Sequence, residues 1–451
     1  MLISEVGSDP AADREFALLL DRRHVQVVFQ PLVDLHSGEI VGLEALARGP
    51  AGTQFASPLT MFAAARRAGR VAELDWVCRA AAYQAFLDAD LPPAMSLFVN
   101  VEPEAIAQPC PSDLTGVVAR AESVLRVFVE INDHALAADP AGVLAAVVRA
   151  RDIGWGVAMD DVGVSRAPIA MLPIVCADLV KLDLRRLADA SVVDAAAVIS
   201  SVLRHVEAIG ATLLVEGIET EEDAIWARAL GATYGQGHHL GVPAPLLDHY
   251  PAPRVPVHLV TPLVADQPFD SPFELLGGRS YQRMDLDVLT RLIAVMALSP
   301  RSLGTWPAYL VGMSRDAELP ARLTDHIAVM HSSALLWVVF GTAMAAEPVP
   351  GVHGVRLHLD DPLADERFFI VLSDQAPTAV FARLCPDGLY DVVVTQDRDL
   401  VHAVAYHLIR RMPRPGGPNF ALPVHRREPT ADDADSTVAK RGWRGRLSAK
   451  G

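Results

Sequence analysis

Cysteine is scarce. The 451-residue chain carries 4, at Cys78, Cys110, Cys176 and Cys385, none in a CxxC pair. That spacing excludes a zinc ribbon and a disulfide framework, and it fits a reducing cytoplasm. Basic residues fall short as well: 39 Lys and Arg stand against 55 Asp and Glu, a formal net charge of -16. Such a balance argues against a general nucleic-acid-binding role. It does not exclude a phosphate ligand, because a bound metal reverses the local field. Long apolar runs are missing: the longest weakly polar run, Ser332–Ala346, has 15 residues. A membrane span needs about 20, so this run is read as a buried strand or helix. The opening MLISEVGSDP is acidic and lacks the basic-then-apolar order of a secretory signal. The expected location is therefore cytoplasmic. Aromatics are only 6% of the chain, so the core must be built from aliphatic residues.

Those are plentiful. The chain is 51% hydrophobic, enough for two or three packed domains. From Val25 a unit repeats: a short apolar strand, a polar end, then an Ala-rich helix. Strands are expected at Val25–Leu35, Ile40–Ala47, Ser96–Val101, Val127–Ile131, Gly156–Asp161, Leu179–Asp183, Thr212–Glu219 and near Gln236–Leu240. Helical patterns fall at Pro58–Ala68, Ala72–Asp88, Pro140–Ile153, Asp189–Ala208 and Glu221–Leu230. This rhythm predicts an α/β fold, a TIM-type (β/α)8 barrel. One junction breaks it: His36-Ser37-Gly38-Glu39 is a hairpin-type turn, so the first strand pair should be antiparallel and the barrel irregular.

In such barrels the active site is built at strand C-termini. Falling there are Glu44 and Arg48, Asn100, Glu130 and Asp133, Asp160 and Asp161, Lys181 and Asp183, Glu216 and Glu219, and Gln236. Taken singly, each has a plain reading as a solvated loop residue, or as a helix N-cap for Asp133 and Asp183. Taken together they do not. Carboxylates converging on one barrel mouth repel one another and lose solvation, and they stay ionised only with compensating cations. Oxygen donors of this kind suit Mg2+ or Mn2+.

The same segment resembles the EAL family of cyclic di-GMP phosphodiesterases, over about residues 20–245. The resemblance rests on Phe29-Gln30-Pro31-Leu32-Val33-Asp34, Glu44-Ala45-Leu46 with Arg48, Val99-Asn100-Val101 and Glu130-Ile131-Asn132-Asp133. It continues through Asp160-Asp161-Val162-Gly163, Val180-Lys181-Leu182-Asp183, Val215-Glu216-Gly217-Ile218-Glu219 and Gln236-Gly237, all in order. It implies hydrolysis of cyclic di-GMP to linear pGpG by a two-metal mechanism. The metal ligands would be Glu44, Asn100, Glu130, Asp160 and Asp161, with Mg2+ or Mn2+ bound. Lys181, Glu216 and Gln236 would be catalytic, with Lys181 positioning or deprotonating the attacking water and Gln236 orienting it. Arg48 would pair with a substrate phosphate, and Gln30, Asp183 and Glu219 would complete the substrate site. Asp133 stands at the family's loop-anchoring glutamate. A homodimer through the barrel is the candidate assembly.

Three departures from the family pattern stand out. After the aspartate pair the family usually reads Phe-Gly-Thr/Ala-Gly-Tyr/Phe-Ser-Ser; this chain has Val162-Gly163-Val164-Ser165-Arg166-Ala167-Pro168. Asp133 is one methylene shorter than glutamate. Glu102 adds a carboxylate near the mouth. Losing such support around metal ligands typically costs about 10–100-fold in metal affinity or activity.

The expected organisation is a leader (1–20), the barrel (21–249), a Pro-rich linker (250–272), a smaller α+β C-terminal domain (273–411) and a disordered basic tail (412–451). Within 273–411 the pattern gives a helix at Asp285–Ala297, strands at Ala334–Gly341, Gly354–Leu359, Phe368–Leu372 and Leu389–Thr395, and a helix at Leu400–Arg411. The stretch from Asp360 through Leu384 resembles the DICT sensory domain, which implies a regulatory role and an unidentified signalling partner. His331 and His402 stand alone and are read as surface or hydrogen-bonded histidines. Three functions compete: an active phosphodiesterase, a catalytically weak or silent cyclic di-GMP receptor signalling through the C-terminal domain, and a scaffold that binds no nucleotide. The full set of acidic strand ends disfavours the third, and the intact ligand set favours hydrolysis.

Overall fold

The computed structural model describes residues 10–89, 91–106, 108–162, 168–260, 269, 271–277, 279–298, 307–313, 334–373, 376–414 and 417–422. Eight strands close into a barrel: β1 Gln26–Asp34, β2 Ile40–Arg48, β3 Ser96–Asn100, β4 Arg126–Ile131, β5 Gly156–Val162, β6 Leu179–Asp183, β7 Thr212–Glu216 and β8 Tyr234–Gly235. β1 runs antiparallel to β2, pairing Gln26 with Arg48, and antiparallel to β8 through Val33 and Asp34. All other neighbours are parallel. The hairpin forms because the Asp34 carboxylate accepts from the His36 and Ser37 amides at 2.9 and 2.8 Å and Gly38 takes φ +74°.

Two strand ends differ from expectation. β7 stops at Glu216 because Gly217 turns the chain at φ +76°, a left-handed conformation suited to glycine. β8 lies earlier than Gln236–Leu240, so Gln236 sits just beyond its end. The helix expected over Asp189–Ala208 runs from Val192 to Ile209, and a short helix, Leu184–Asp189, precedes it. Ser191 caps the longer one by accepting from the Asp194 amide.

The barrel interior is filled by Leu32, Val41, Phe98, Phe128, Ala158, Leu179, Leu214, Tyr234 and Val257. Phe98 and Phe128 stack with centroids 4.7 Å apart. Gly42 and Gly156 make room for them: an added Cβ would lie 2.7 Å from the Phe98 ring and 2.4 Å from that of Phe128. Val257 comes from the stretch read as linker. Residues 250–260 have no regular secondary structure, yet Val257 is fully buried inside the barrel. Arg126 donates to its carbonyl, and the buried Asp178 carboxylate accepts from the Val157 and Val260 amides, each at 2.7 Å. These residues therefore plug the barrel end opposite the strand C-termini.

The C-terminal unit is a mixed sheet of order β12-β11-β10-β13-β14-β15-β9. Its strands are β9 Gln282–Met284, β10 Ala308–Met313, β11 Leu336–Gly341, β12 His353–Arg356, β13 Glu366–Leu372, β14 Thr378–Leu384 and β15 Tyr390–Thr395. β9, β10 and β14 escaped the sequence reading. β11 lies within Ser332–Ala346 and is buried throughout, as its composition required. One face carries the helix Leu286–Leu298, with Leu289, Leu292, Ile293 and Met296 against Tyr309, Trp337 and Phe369. The other face meets the helix Arg398–Arg410, which also packs on the barrel helices Pro140–Asp152 and Leu172–Val175 in one continuous apolar core.

The tail was expected from residue 412. Instead the chain continues in contact to 422: the Ala421 amide donates to the Arg356 carbonyl and the Leu422 amide to the Arg411 carbonyl, each at 2.8 Å, and Phe420 stacks on His358. Pairing along β12 explains this, since an edge strand offers free backbone groups. Residues 423–451 lie outside the described residues, as does His331. His402 is half-buried and not at the surface. Among the described residues its Nε2 has no hydrogen-bond partner, and neither has that of His205 on Val192–Ile209. All four cysteines are free thiols.

Candidate active site

Parallel strands present alternate side chains to the interior, and their C-terminal ends share one rim. Glu44, Glu130, Lys181 and Glu216 therefore converge from β2, β4, β6 and β7. Lys181 is fully buried at the centre. Its Nζ lies 2.7 Å from Glu216 Oε1, 2.8 Å from Glu130 Oε1, 3.1 Å from Glu44 Oε2 and 3.3 Å from Asp160 Oδ1. Asn100 Nδ2 donates to Glu130 at 3.0 Å and to Glu44 at 3.3 Å. Gln236 Nε2 donates to Glu44 Oε2 at 2.7 Å and to Gln30 Oε1 at 3.3 Å, and Gln30 in turn donates to the Gly241 carbonyl at 3.1 Å. Residues far apart in sequence thus form one connected polar floor.

The charges do not balance on this floor. One ammonium faces four carboxylates. Burial disfavours the ammonium, but Asp160, Glu130, Glu216 and Glu44 hold its pKa well above the ordinary lysine value. Burial, joined by Asp160 and Glu44, pushes Glu216 up to about 8 against the pull of Lys181. Burial and the Glu44 carboxylate likewise raise Glu130 well above the ordinary range. Carboxyl groups crowded around a single ammonium in this way are ones that divalent cations would stabilise.

Asp160 and Asp161 complete the acidic set at the rim. Asp160, Asp161 and Glu216 offer carboxylate oxygens within 4.8 Å of one another. Asp161 has φ +59°, left-handed for a residue with a side chain, and its amide donates to Asp160 Oδ1 at 2.9 Å. Strain of this kind concentrates at functional sites. The chemistry of the donors fits hard divalent cations: carboxylates and one amide, no thiol and no imidazole. Gln236 Oε1 adds a buried acceptor with no partner among the described residues, which a bound water O–H could satisfy.

The remaining expected residues fall at the rim. Arg48 is half-buried and donates to the Ala47 carbonyl at 2.8 Å. It borders a cavity of about 290 Å3 that also touches Asn100, Glu102, Phe62 and Arg66, beside the carboxylate floor and not over it. Glu102 pairs with Arg66. Asp183 caps the helix Leu184–Asp189, accepting from the Arg185 amide at 2.8 Å. Glu219 pairs with Arg185. Asp133 begins the helix Asp133–Ala138, but its side chain and residues 163–167 lie outside what is described. Two cations went unnoticed in the sequence, Arg185 and Arg186. Their signal was available as an arginine pair directly after the Lys181-Leu182-Asp183 strand end.

Comparison with known proteins agrees with this geometry. Residues 13–243 match the family described as EAL domain. The cyclic di-GMP phosphodiesterase RocR of Pseudomonas aeruginosa is 30% identical over 235 residues, 50% of this chain and 59% of that protein. An uncharacterized signaling protein of Caulobacter vibrioides is 29% identical over 225 residues, 49% of this chain and 27% of that protein. Among solved structures, a manganese and cyclic di-GMP complex of BlrP1 from Klebsiella pneumoniae is 26% identical, covering 49% of this chain and 56% of that one, with a TM-score of 0.42. The chain thus spans between about a quarter and three-fifths of the curated relatives' lengths. No helix among the described residues is long and apolar enough to cross a membrane.

Proposed function

The chain belongs to the EAL domain family, and from that premise we propose that it hydrolyses cyclic di-GMP to linear pGpG in a divalent-metal-dependent reaction in the cytoplasm. One observation carries the reading: Glu44, Glu130, Asp160, Asp161 and Glu216 meet Asn100 and Lys181 at the C-terminal mouth of one barrel. Mg2+ or Mn2+, held by Glu44, Asn100, Glu130, Asp160 and Asp161 with Glu216 beside them, would polarise a phosphate oxygen and acidify a bound water. Gln236 has a buried free acceptor with which to fix the orientation of the water. Lys181, held as an ammonium, would orient the attacking water or offset charge developing on phosphorus. Arg48, at the lip of the neighbouring cavity, is placed to clamp a second phosphate.

A receptor reading draws support from Val162–Pro168 and Asp133, where the sequence departs from the family around the aspartate pair. In either reading residues 273–411 act as the regulatory unit, because their helix Arg398–Arg410 packs directly on the barrel. Chromatography of cyclic di-GMP incubated with the full chain and Mn2+ separates the two. Conversion to pGpG that disappears in Glu44→Ala, with the far-ultraviolet spectrum unchanged, supports hydrolysis. Binding without conversion favours the receptor, and an active Glu44→Ala refutes the proposed mechanism.

A further inference from the structure

Among the described residues the acidic site has two resident cations, and they sit differently. Lys181 lies on the floor, reaching Glu44, Glu130, Asp160 and Glu216. Arg186 lies on the rim. Its helix, Leu184–Asp189, begins with Asp183 as the cap, which fixes the first turn against the end of β6. From there the guanidinium spans two strand ends: Nε reaches Asp183 Oδ2 at 3.1 Å and Nη2 reaches Asp161 Oδ1 at 3.0 Å. Asp161 is the carboxylate of the expected ligand set outside the four that Lys181 reaches. Its oxygens also fall within the cluster formed with Asp160 and Glu216.

We infer that Arg186 competes with the outer divalent cation for Asp161, so that the site binds one ion tightly, on the Glu44–Glu130 side, and the other weakly. This rests on the metal-dependent reading above. The physical argument is one of charge and lone pairs. A guanidinium nitrogen 3.0 Å from a carboxylate oxygen crowds the space that a metal would need, and its unit charge repels an incoming dication. The pair is partly exposed, with Arg186 and Asp161 side chains 40% and 33% accessible. The competition is therefore mild: removing Arg186 should tighten the weaker ion by about 3- to 10-fold, the scale of one exposed ion pair and one nearby like charge. Such a residue would make occupancy of the outer position, and not of the inner one, follow the metal concentration.

The test is a Mn2+ titration of the full chain, with bound ion counted by calorimetry and free Mn2+ by electron paramagnetic resonance. Four proteins are compared: the parent, Arg186→Gln, Arg186→Lys and Arg185→Gln. The expected result is two classes of ion in the parent. Arg186→Gln should tighten the weaker class by about 3- to 10-fold and leave the tighter class within about 2-fold. Arg186→Lys should fall between, since it keeps the charge without the fork. Arg185→Gln removes an equal charge that faces Glu219, so it should move the weaker class less than Arg186→Gln does. Equal tightening by both glutamine variants overturns the inference, because the effect is then general charge. Unchanged or weaker outer binding in Arg186→Gln also overturns it, and makes Arg186 a residue that positions Asp161. If neither the parent nor any variant binds Mn2+, the metal-dependent reading itself fails and the inference falls with it.

Discussion

Lys181→Met removes the ammonium that four carboxylates share, Glu44 and Glu130 buried and Asp160 and Glu216 half-buried, while keeping a side chain of similar length. In the folded protein Nζ lies between 2.7 and 3.3 Å from each of those carboxylates, and the lysine side chain is 1% accessible. Removing one partner from a buried ion pair costs about 3–5 kcal/mol, because the remaining charge is left uncompensated. For a domain of this size, 1 kcal/mol corresponds to roughly 2–4 °C in Tm, so a fall of about 6–20 °C is expected in chelator. The loss should depend on pH. Without the ammonium the carboxylates can relieve one another only by binding protons, so the deficit relative to the parent should widen as pH rises from 5.5 to 8.5. It should also be repaired by metal. Mn2+ at about 100 times its Kd stabilises by about 2.7 kcal/mol, and the variant should gain at least as much as the parent. Differential scanning fluorimetry of both proteins, with chelator and with Mn2+ at three pH values, gives all of these comparisons. A variant that melts within about 2 °C of the parent at pH 8.5 in chelator would refute the argument. It would mean that the carboxylates are not held together as a charged cluster in the folded state.

Three further outcomes follow from buried groups elsewhere. Burial, with His402 nearby, lowers the His205 imidazole to about 4. The folded state therefore keeps His205 neutral while the unfolded chain protonates it below about 6.5, and stability is lost as pH falls from 6.5 towards 4. His205→Leu should lessen that acid loss by about 2 kcal/mol between pH 7 and pH 5, read as a smaller difference in denaturation midpoint between those two values; an identical acid limb would count against it. Glu366 has the opposite sign. Burial raises it to about 7, so the folded state holds a proton that the unfolded state has released, and stability falls as pH rises from 4.5 through 7. Glu366→Gln should therefore gain on the parent between pH 5 and pH 8 in the same assay, and a constant difference would refute the assignment. For the plug, a fragment ending at residue 260 should be more resistant to thermolysin than one ending at 249. Val257 contributes about 1.5–3 kcal/mol of burial, and Val260 satisfies Asp178; equal resistance would show that the segment adds nothing to the barrel.

The barrel and its acidic rim were legible because both obey local rules. Period-two strands ending in polar residues, separated by Ala-rich helices, leave few alternatives to a closed parallel barrel, and the hairpin at His36–Glu39 marked its irregular start. Every expected residue with a described side chain stands at the barrel mouth or its rim. What the sequence could not show was which of them are already engaged. Asp183 takes the helix-cap reading that its position allowed, but Glu219 pairs with Arg185. That pairing depends on a rim helix whose direction no local pattern fixes. The plug was misread for a related reason. Pro251, Pro253 and Pro256 correctly signal extended backbone, but extension is as compatible with a packed strap as with a linker. Only the barrel interior that accepts Val257 decides between them. β9, β10 and β14 were missed because β9 is short and exposed, β10 lacks alternation, being buried on both faces, and β14 runs through four consecutive buried residues.

The placement of the second unit bears on how it could reach the chemistry. β4, which carries Glu130, ends at Ile131; Asn132 then caps the helix Asp133–Ala138, and Asp139 caps Pro140–Asp152 by accepting from the Gly142 amide. β5, which carries Asp160 and Asp161, is followed by the turn Pro168–Met171 and the helix Leu172–Val175. The helix Arg398–Arg410 packs on both Pro140–Asp152 and Leu172–Val175. One C-terminal helix therefore contacts the elements that follow the two strands bearing Glu130 and the aspartate pair. Floor and rim differ in how they would respond to its movement. Glu130 is tied on the floor to Lys181 and Asn100, so displacing it disturbs a buried network. Asp161 is held at the rim by Arg186 in a partly exposed pair, so its oxygens can be redirected at lower cost. A signal arriving through Arg398–Arg410 would then act on the outer cation position before the inner one. The inner position would keep the barrel competent to bind, while the outer position would set how often bound substrate is turned over.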